Sequence, residues 1–311
     1  MRGAIMANPL PLIIVGAGPA GLSAAIYTSR ASIPTIVLGC QPKVAGDYDI
    51  DNYFGFPETI SGNELIQRGV QQAQRFGTTL SCEKVLAVHS HPEGCFEVVS
   101  DITTRRCCAV ILATGVSRMR PGIKNLGDYE GKGVSWCVSC DGFFYKNKPV
   151  VVLGEGLFAA NQALELLTYT PLVTIITQGK PLNVTPEFRQ RLDAAGIPIL
   201  ENKVERLEGD NGLARLICVD GHTLDADGLF VAMGEASSLD FARALGVTVR
   251  NNFVEVDAAF QTNIPGVFAA GDCTGGFLQI SVSVGEGAVA GKSAIDFIKK
   301  HIPELVRTPK A

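Results

Sequence analysis

A chain of 311 residues, 46% hydrophobic and 19% charged, carries enough apolar material for about two folded domains and excludes a disordered chain. Lys and Arg number 27 against 31 Asp and Glu, a net charge of −4 that offers no overall drive toward nucleic acid or an anionic membrane. Nine cysteines, odd in number and scattered, with no secretory cleavage pattern, argue against a disulfide-stapled extracellular scaffold and for a reducing compartment, read here as the cytoplasm.

No charge lies between Arg2 and Arg30, but Pro9, Pro11, Gly16, Gly18, Pro19 and Gly21 punctuate that stretch and argue against a membrane helix. Leu12-Ile13-Ile14-Val15 instead reads as a strand buried on both faces. Gly16-Ala17-Gly18-Pro19-Ala20-Gly21 follows it and opens a helix over Leu22 to Arg30, and Thr35-Ile36-Val37-Leu38 closes a βαβ unit. In that setting the glycines read as a dinucleotide loop: a tight turn, close backbone approach to a pyrophosphate, and close helix–strand packing. The plain alternative is a glycine turn with no ligand. The acid expected after the second strand is missing, since the chain there reads Leu38-Gly39-Cys40-Gln41.

A strand over Cys108 to Leu112 runs into Ala113-Thr114-Gly115, and Arg118 to Lys124, with Pro121 and Gly122, reads as a linker. Cys137-Val138-Ser139-Cys140 is followed by Asp141 and Gly142. Two thiols at this spacing can close a small disulfide ring and exchange with another disulfide, and an adjacent carboxyl can carry the proton. Two buried small hydrophobes and a turn-capping Asp are the bland readings. Zinc would require a second Cys or His pair at similar spacing; Cys107 and Cys108 are adjacent and the four histidines do not cluster, so no metal site is expected. A second βαβ unit follows: strand Val150 to Leu153, glycine turn Gly154-Glu155-Gly156-Leu157-Phe158-Ala159, helix Asn161 to Leu167, strand Val173 to Ile176. Gly228 to Ala232 runs into Met233-Gly234, and a second crossing between domains is placed near Gly246. Finally Thr262 to Asp272 ends a strand in Gly271-Asp272, and Gln279-Ile280-Ser281 begins a helix. Cys82, Cys95, Cys107, Cys108 and Cys218 are read as reduced thiols, while Cys40 and Cys273 fall near the expected cofactor loops.

Taken in order, Gly16–Gly21, Ala113–Gly115, Cys137–Gly142 and Thr262–Asp272 resemble the low-molecular-weight thioredoxin reductases over nearly the whole chain. The resemblance implies an α/β fold of two Rossmann-like FAD/NAD(P)-binding-type domains, the second inserted into the first: 1–118 and 247–311 for FAD, 119–246 for the inserted domain with the Cys pair. It implies FAD contacts at Gly16, Gly18, Pro19, Ala20, Gly21, Asn52, Ala113, Gly115, Asp272, Gln279 and Ile280. Cys140 would lie nearest the flavin, Cys137 would attack the partner disulfide, and Asp141 would be the acid/base. It further implies a homodimer that rotates the inserted domain, with a thioredoxin-like protein as partner, and neither nucleic acid nor membrane.

Four departures bear on the electron donor. Glu155 stands in the second glycine loop, beside where a pyrophosphate would lie. The His-Arg-Arg of NADPH-using relatives is replaced by Thr177-Gln178-Gly179-Lys180, and no neutral residue imitates a bidentate Arg on a 2′-phosphate. Leu278 replaces an Arg before Gln279, and the loop from Gly46 to Asn52 is short. The chain is thus similar to the branch that does not use NADPH, members of which take electrons from ferredoxin or bind an additional flavin. The expectation is an FAD-dependent disulfide oxidoreductase that passes electrons through Cys137 and Cys140 to thioredoxin or a similar protein, with a donor other than NADPH, ferredoxin first. An ordinary NADPH-dependent thioredoxin reductase and a flavin-binding redox sensor are the competing readings.

Overall fold

A computed structural model describes residues 10–45, 49–115 and 121–302. The chain divides into two compact units, Met1–Val116 with Ser237–Ala311, and Ser117–Ala236. In the first stretch, β1 (Leu12–Val15) leads into α1 (Pro19–Arg30), β2 (Thr35–Leu38), α2 (Gly62–Arg75), β3 (Thr79–Ser81) and β4 (Ala109–Leu112). The second unit contains β5 (Val134–Ser135), α3 (Val138–Asp141), β6 (Val150–Leu153), α4 (Leu157–Leu166), β7 (Val173–Ile176), α5 (Pro186–Ala194), β8 (Ile199–Leu200) and β9 (Gly228–Val231). The chain then returns to the first unit with α6 (Ser238–Ala244), β10 (Val267–Ala269) and α7 (Ile280–His301).

Each unit has a five-stranded parallel sheet, ordered β10-β4-β1-β2-β3 in the first and β5-β9-β6-β7-β8 in the second. Both sheets are built from the continuous apolar runs that a strand covered on both faces requires, and β1, β4, β6 and β9 are buried at every position. Small residues let α1 and α7 approach closely: a Cβ at Gly287 would lie 2.1 Å from the Ala20 carbonyl oxygen, and Ser23 Oγ donates to the Val284 carbonyl at 2.7 Å. The return to the first unit falls at Ser237 rather than near Gly246, because α6 is bonded into that unit. The Ser238 N–H donates to Thr114 Oγ1 at 2.7 Å, and Asp240 caps the helix by accepting from the Ser237 N–H. Arg118, Met119 and Arg120 of the predicted linker lie outside the described residues, and the linker from Pro121 to Lys124 carries no helix or strand.

Beside the main sheet of the first unit, Val85–His91, Cys95–Ser100 and Thr104–Cys107 form an antiparallel sheet. Glu83, 2% exposed, joins the two. It accepts from Arg105 Nη2 at 2.6 Å and from the hydroxyls of Ser81 and Ser100. Burial pushes the Glu83 carboxyl up, but these hydrogen bonds outweigh it and hold the group down at about 2. A depressed carboxyl contributes stability above its unfolded value and loses it as pH falls. Glu83→Gln is therefore expected to be less stable than wild type at pH 7 by roughly 2 kcal/mol, with the gap closing as pH drops from about 4.5 toward 2. Thermal melts of both proteins across that window check this; a gap constant with pH would remove the carboxylate charge as the cause.

Candidate functional site

In the first unit all five strands run parallel, so their carboxyl ends share one edge, the place where open α/β sheets bind ligands. Chain segments predicted separately meet there. The Gly16 N–H donates to the Leu38 carbonyl at 2.7 Å, the Ala113 N–H to the Val15 carbonyl at 2.8 Å, and the Ala270 N–H to the Leu112 carbonyl at 3.0 Å. This brings the loop Gly16–Gly21, Ala113–Gly115 and Gly271-Asp272 together. Asn52 and Gln279, far apart in sequence, are joined by Asn52 Nδ2 donating to Gln279 Oε1 at 3.0 Å. Ile280 begins α7.

The loop geometry fits a dinucleotide. A Cβ at Gly21 would lie 1.9 Å from the Gly16 carbonyl oxygen, so only glycine packs there. At Gly18 the nearest atom to a Cβ is Pro42 Cβ at 3.8 Å, which leaves that face open for approach. Gly18 is the N-cap of α1, no side chain caps it, Pro19 opens the helix, and the first turn carries no acid. The free N–H groups and the positive end of the helix dipole are therefore available to phosphate.

Sequence reasoning missed Glu286. It accepts from the Gly271 N–H at 2.7 Å and from Thr274 Oγ1 at 3.1 Å, and so shapes the turn that carries Asp272. Burial raises its carboxyl above the usual range. Ser283 Oγ donates to Asp272 Oδ1 at 3.1 Å. No short motif marks these residues, because they reach the turn from α7.

In the second unit, Cys137 and Asp141 belong to one short helical turn, with the Asp141 N–H donating to the Cys137 carbonyl at 3.1 Å. Cys137 is buried and disulfide-bonded. The side chains of Ser139 and Cys140 lie outside the described residues. Ser135, also unanticipated, organises the turn: its hydroxyl donates to Asp141 Oδ2 at 2.6 Å and accepts from the Cys137 N–H at 3.1 Å. Phe143 and Phe144, just beyond the turn, are 70% and 68% exposed.

The second glycine loop differs from the first in its charge. Glu155, its side chain 16% exposed, precedes the N-terminus of α4 and pairs with Lys180 Nζ at 2.6 Å. Glu155 Oε2 is buried without a hydrogen-bond partner. The polar side chains of Gln178 and Thr177, just after β7, are held by main-chain groups: Gln178 Nε2 donates to the Val204 carbonyl at 3.1 Å and Gln178 Oε1 accepts from the Val204 N–H at 2.8 Å. Thr177 Oγ1 donates to the Lys180 carbonyl.

The cysteine assignments need one correction. Cys82 is not a reduced thiol; it is disulfide-bonded to Cys40. Sequence could not pair them, because their proximity comes from the parallel register Leu38↔Ser81 of β2 and β3. Cys95, Cys107, Cys108, Cys218 and Cys273 are free and buried. Burial pushes the Cys108 and Cys273 thiols up to about 12, which suits inert structural thiols. Among the described residues no cluster of His, Cys, Asp or Glu is arranged for a metal, and no helix is long and apolar enough to cross a membrane.

Residues 10–287 match the pyridine nucleotide-disulphide oxidoreductase family, and the chain belongs to that family, whose members are flavin-dependent disulfide oxidoreductases. It is 32% identical over 309 residues to a thioredoxin reductase of Listeria innocua, covering 94% of each chain. Among solved structures, the atypical thioredoxin reductase TRi of Desulfovibrio vulgaris Hildenborough is 62% identical, with a TM-score of 0.93, over 94% of this chain and 99% of that one. A ferredoxin-flavin thioredoxin reductase of Clostridium acetobutylicum is 27% identical, with a TM-score of 0.69, over the same shares.

Proposed function

We propose that this enzyme reduces the disulfide of a thioredoxin-like protein through Cys137 and Cys140 and takes its electrons from a donor other than NADPH, ferredoxin being the favoured one. The family membership and the open phosphate cradle at Gly18 support FAD in the first unit, held by Gly16, Gly18, Pro19, Ala20, Gly21, Asn52, Ala113, Gly115, Asp272, Gln279 and Ile280. Bound there and reduced by the donor, FAD would supply the two electrons that the Cys137–Cys140 disulfide needs. Cys137, as thiolate, then attacks one sulfur of the partner disulfide, and Cys140 displaces the partner from the mixed disulfide as a dithiol. Asp141 carries the proton, and Ser135 holds its carboxylate toward the turn. Cys137 is buried, so a rearrangement that bares it precedes the attack. The exposed pair Phe143 and Phe144 beside the turn supports a protein partner, since exposed neighbouring aromatics mark interaction surfaces.

The donor assignment rests on the Glu155–Lys180 ion pair. A pyrophosphate at the N-terminus of α4 would meet the Glu155 carboxylate. The one cation after β7 is already engaged by that carboxylate, and Gln178 is spent on Val204, so nothing there forks around a 2′-phosphate. The name of one structural relative, the ferredoxin-flavin thioredoxin reductase, supports a ferredoxin donor.

Anaerobic rapid mixing tests the donor. NADPH is expected to leave the oxidised flavin band standing, whereas reduced ferredoxin bleaches it. Prompt bleaching by NADPH would restore the ordinary NADPH-dependent reductase as the reading. Flavin released on denaturation, counted per chain, separates a single FAD from FAD plus a second bound flavin. Sedimentation of the same sample checks the expected homodimer.

A further inference from the structure

Cys40 and Cys82 have no place in the electron path to Cys137, yet they form an exposed disulfide on the ligand-binding edge of the first unit. Cys82 follows β3 directly, and Cys40 stands one residue beyond β2, after Gly39. The end of the second strand is where a dinucleotide fold usually holds the adenosine ribose, and here Gly39-Cys40 stands in place of the expected acid. The segment is pressed onto the glycine loop. A Cβ at Gly39 would lie 2.9 Å from the Ala17 nitrogen, and Pro42 is the neighbour of Gly18.

The two ends of the bridge are anchored unequally. Cys82 precedes Glu83, which is buried and gripped by Arg105, Ser81 and Ser100. Cys40 lies in the connection between β2 and the turn Lys43–Ala45, and the disulfide ties that connection to the anchored side. Cutting the bridge therefore releases the side that faces the cofactor loop and leaves the other in place.

We infer that Cys40–Cys82 is a thiol-exchangeable clasp on the FAD site, opened by a protein dithiol of the thioredoxin kind. A thiolate of that dithiol attacks one exposed sulfur of the bridge, the Cys40–Cys82 bond breaks, and a mixed disulfide forms. The second thiol of the dithiol then displaces the enzyme sulfur. The dithiol leaves oxidised to a disulfide, and Cys40 and Cys82 gain the two electrons and two protons as thiols. The reverse exchange with an oxidised partner closes the clasp, so its state follows the partner's dithiol-to-disulfide ratio. Closed, it holds the cofactor firmly; opened, it loosens it and lowers turnover when reduced partner accumulates. The inference rests on Gly16–Gly21 being the FAD loop.

The test equilibrates FAD-loaded protein in dithiothreitol buffers of graded reduction. Each sample is acid-quenched and alkylated, the Cys40 and Cys82 peptides are weighed, and released FAD is measured in parallel. Cys40 and Cys82 are expected to open together, and the FAD dissociation constant to rise on the order of tenfold as they do. Cys82→Ser is expected to bind FAD as weakly as the opened wild type in every buffer, although Cys137 and Cys140 still titrate. Alkylation of Cys40 and Cys82 in fully oxidising buffer would overturn the inference. So would FAD binding that is equal in closed and opened wild-type protein, a comparison that needs no variant. A dithiol effect on FAD that persists in Cys82→Ser would assign it to other cysteines and have the same consequence. Protein that binds no FAD in any buffer would overturn the cofactor reading itself, while alkylation still reported whether the bridge exists.

Discussion

Replacing Cys137 by Ser should lower reduction of a thioredoxin-like disulfide on the order of a thousandfold or more, because the nucleophile of the exchange is lost and no other described thiol can replace it. The five free cysteines are buried, Cys40 and Cys82 belong to the other unit, and a serine hydroxyl is not ionised at neutral pH. Replacing Cys140 should give a similar loss with a different signature: Cys137 can still attack, but nothing resolves the product, so a covalent complex with the partner accumulates. A light-driven reductant in place of the physiological donor keeps the measurement independent of the donor question. Mass spectrometry of the quenched mixture reads the trapped complex. Cys140→Ser enzyme that turns over at the wild-type rate would remove Cys140 from the mechanism.

Gly18→Ala is expected to weaken FAD binding about a hundredfold while leaving the fold intact, since the loss of one or two charge-assisted hydrogen bonds to phosphate is a few kcal/mol. The position makes this a clean separation of ligand from structure. Gly18 has φ −80°, which alanine adopts freely, and a Cβ there meets nothing nearer than Pro42 at 3.8 Å. Gly21→Ala would lack that clarity, because its Cβ would collide with the Gly16 carbonyl and damage helix–strand packing whether or not a ligand binds. Equilibrium dialysis for FAD and a thermal melt of the apoprotein check the pair of statements. An unchanged dissociation constant in Gly18→Ala would show that the loop does not meet the pyrophosphate.

The Glu155–Lys180 pair distinguishes the second glycine loop from the first. In the first unit the phosphate cradle is open and acid-free. In the second the matching position carries its own carboxylate, already neutralised by a lysine from the loop after β7.

The two parallel sheets, the first glycine loop and the turn from Cys137 to Asp141 were legible in the sequence. Those features are local: apolar runs, glycine spacing and turn chemistry act among neighbours along the chain, so they can be read in chain order. Folding alone brings Cys40 to Cys82, Asn52 to Gln279, Glu286 to the Asp272 turn and Lys180 to Glu155. It also places α6 with the first unit, through Thr114 and Ser238. Each of these depends on which strands or helices lie side by side and in what register. A parallel sheet sets that through strand order and crossovers, and sequence spacing alone does not encode it.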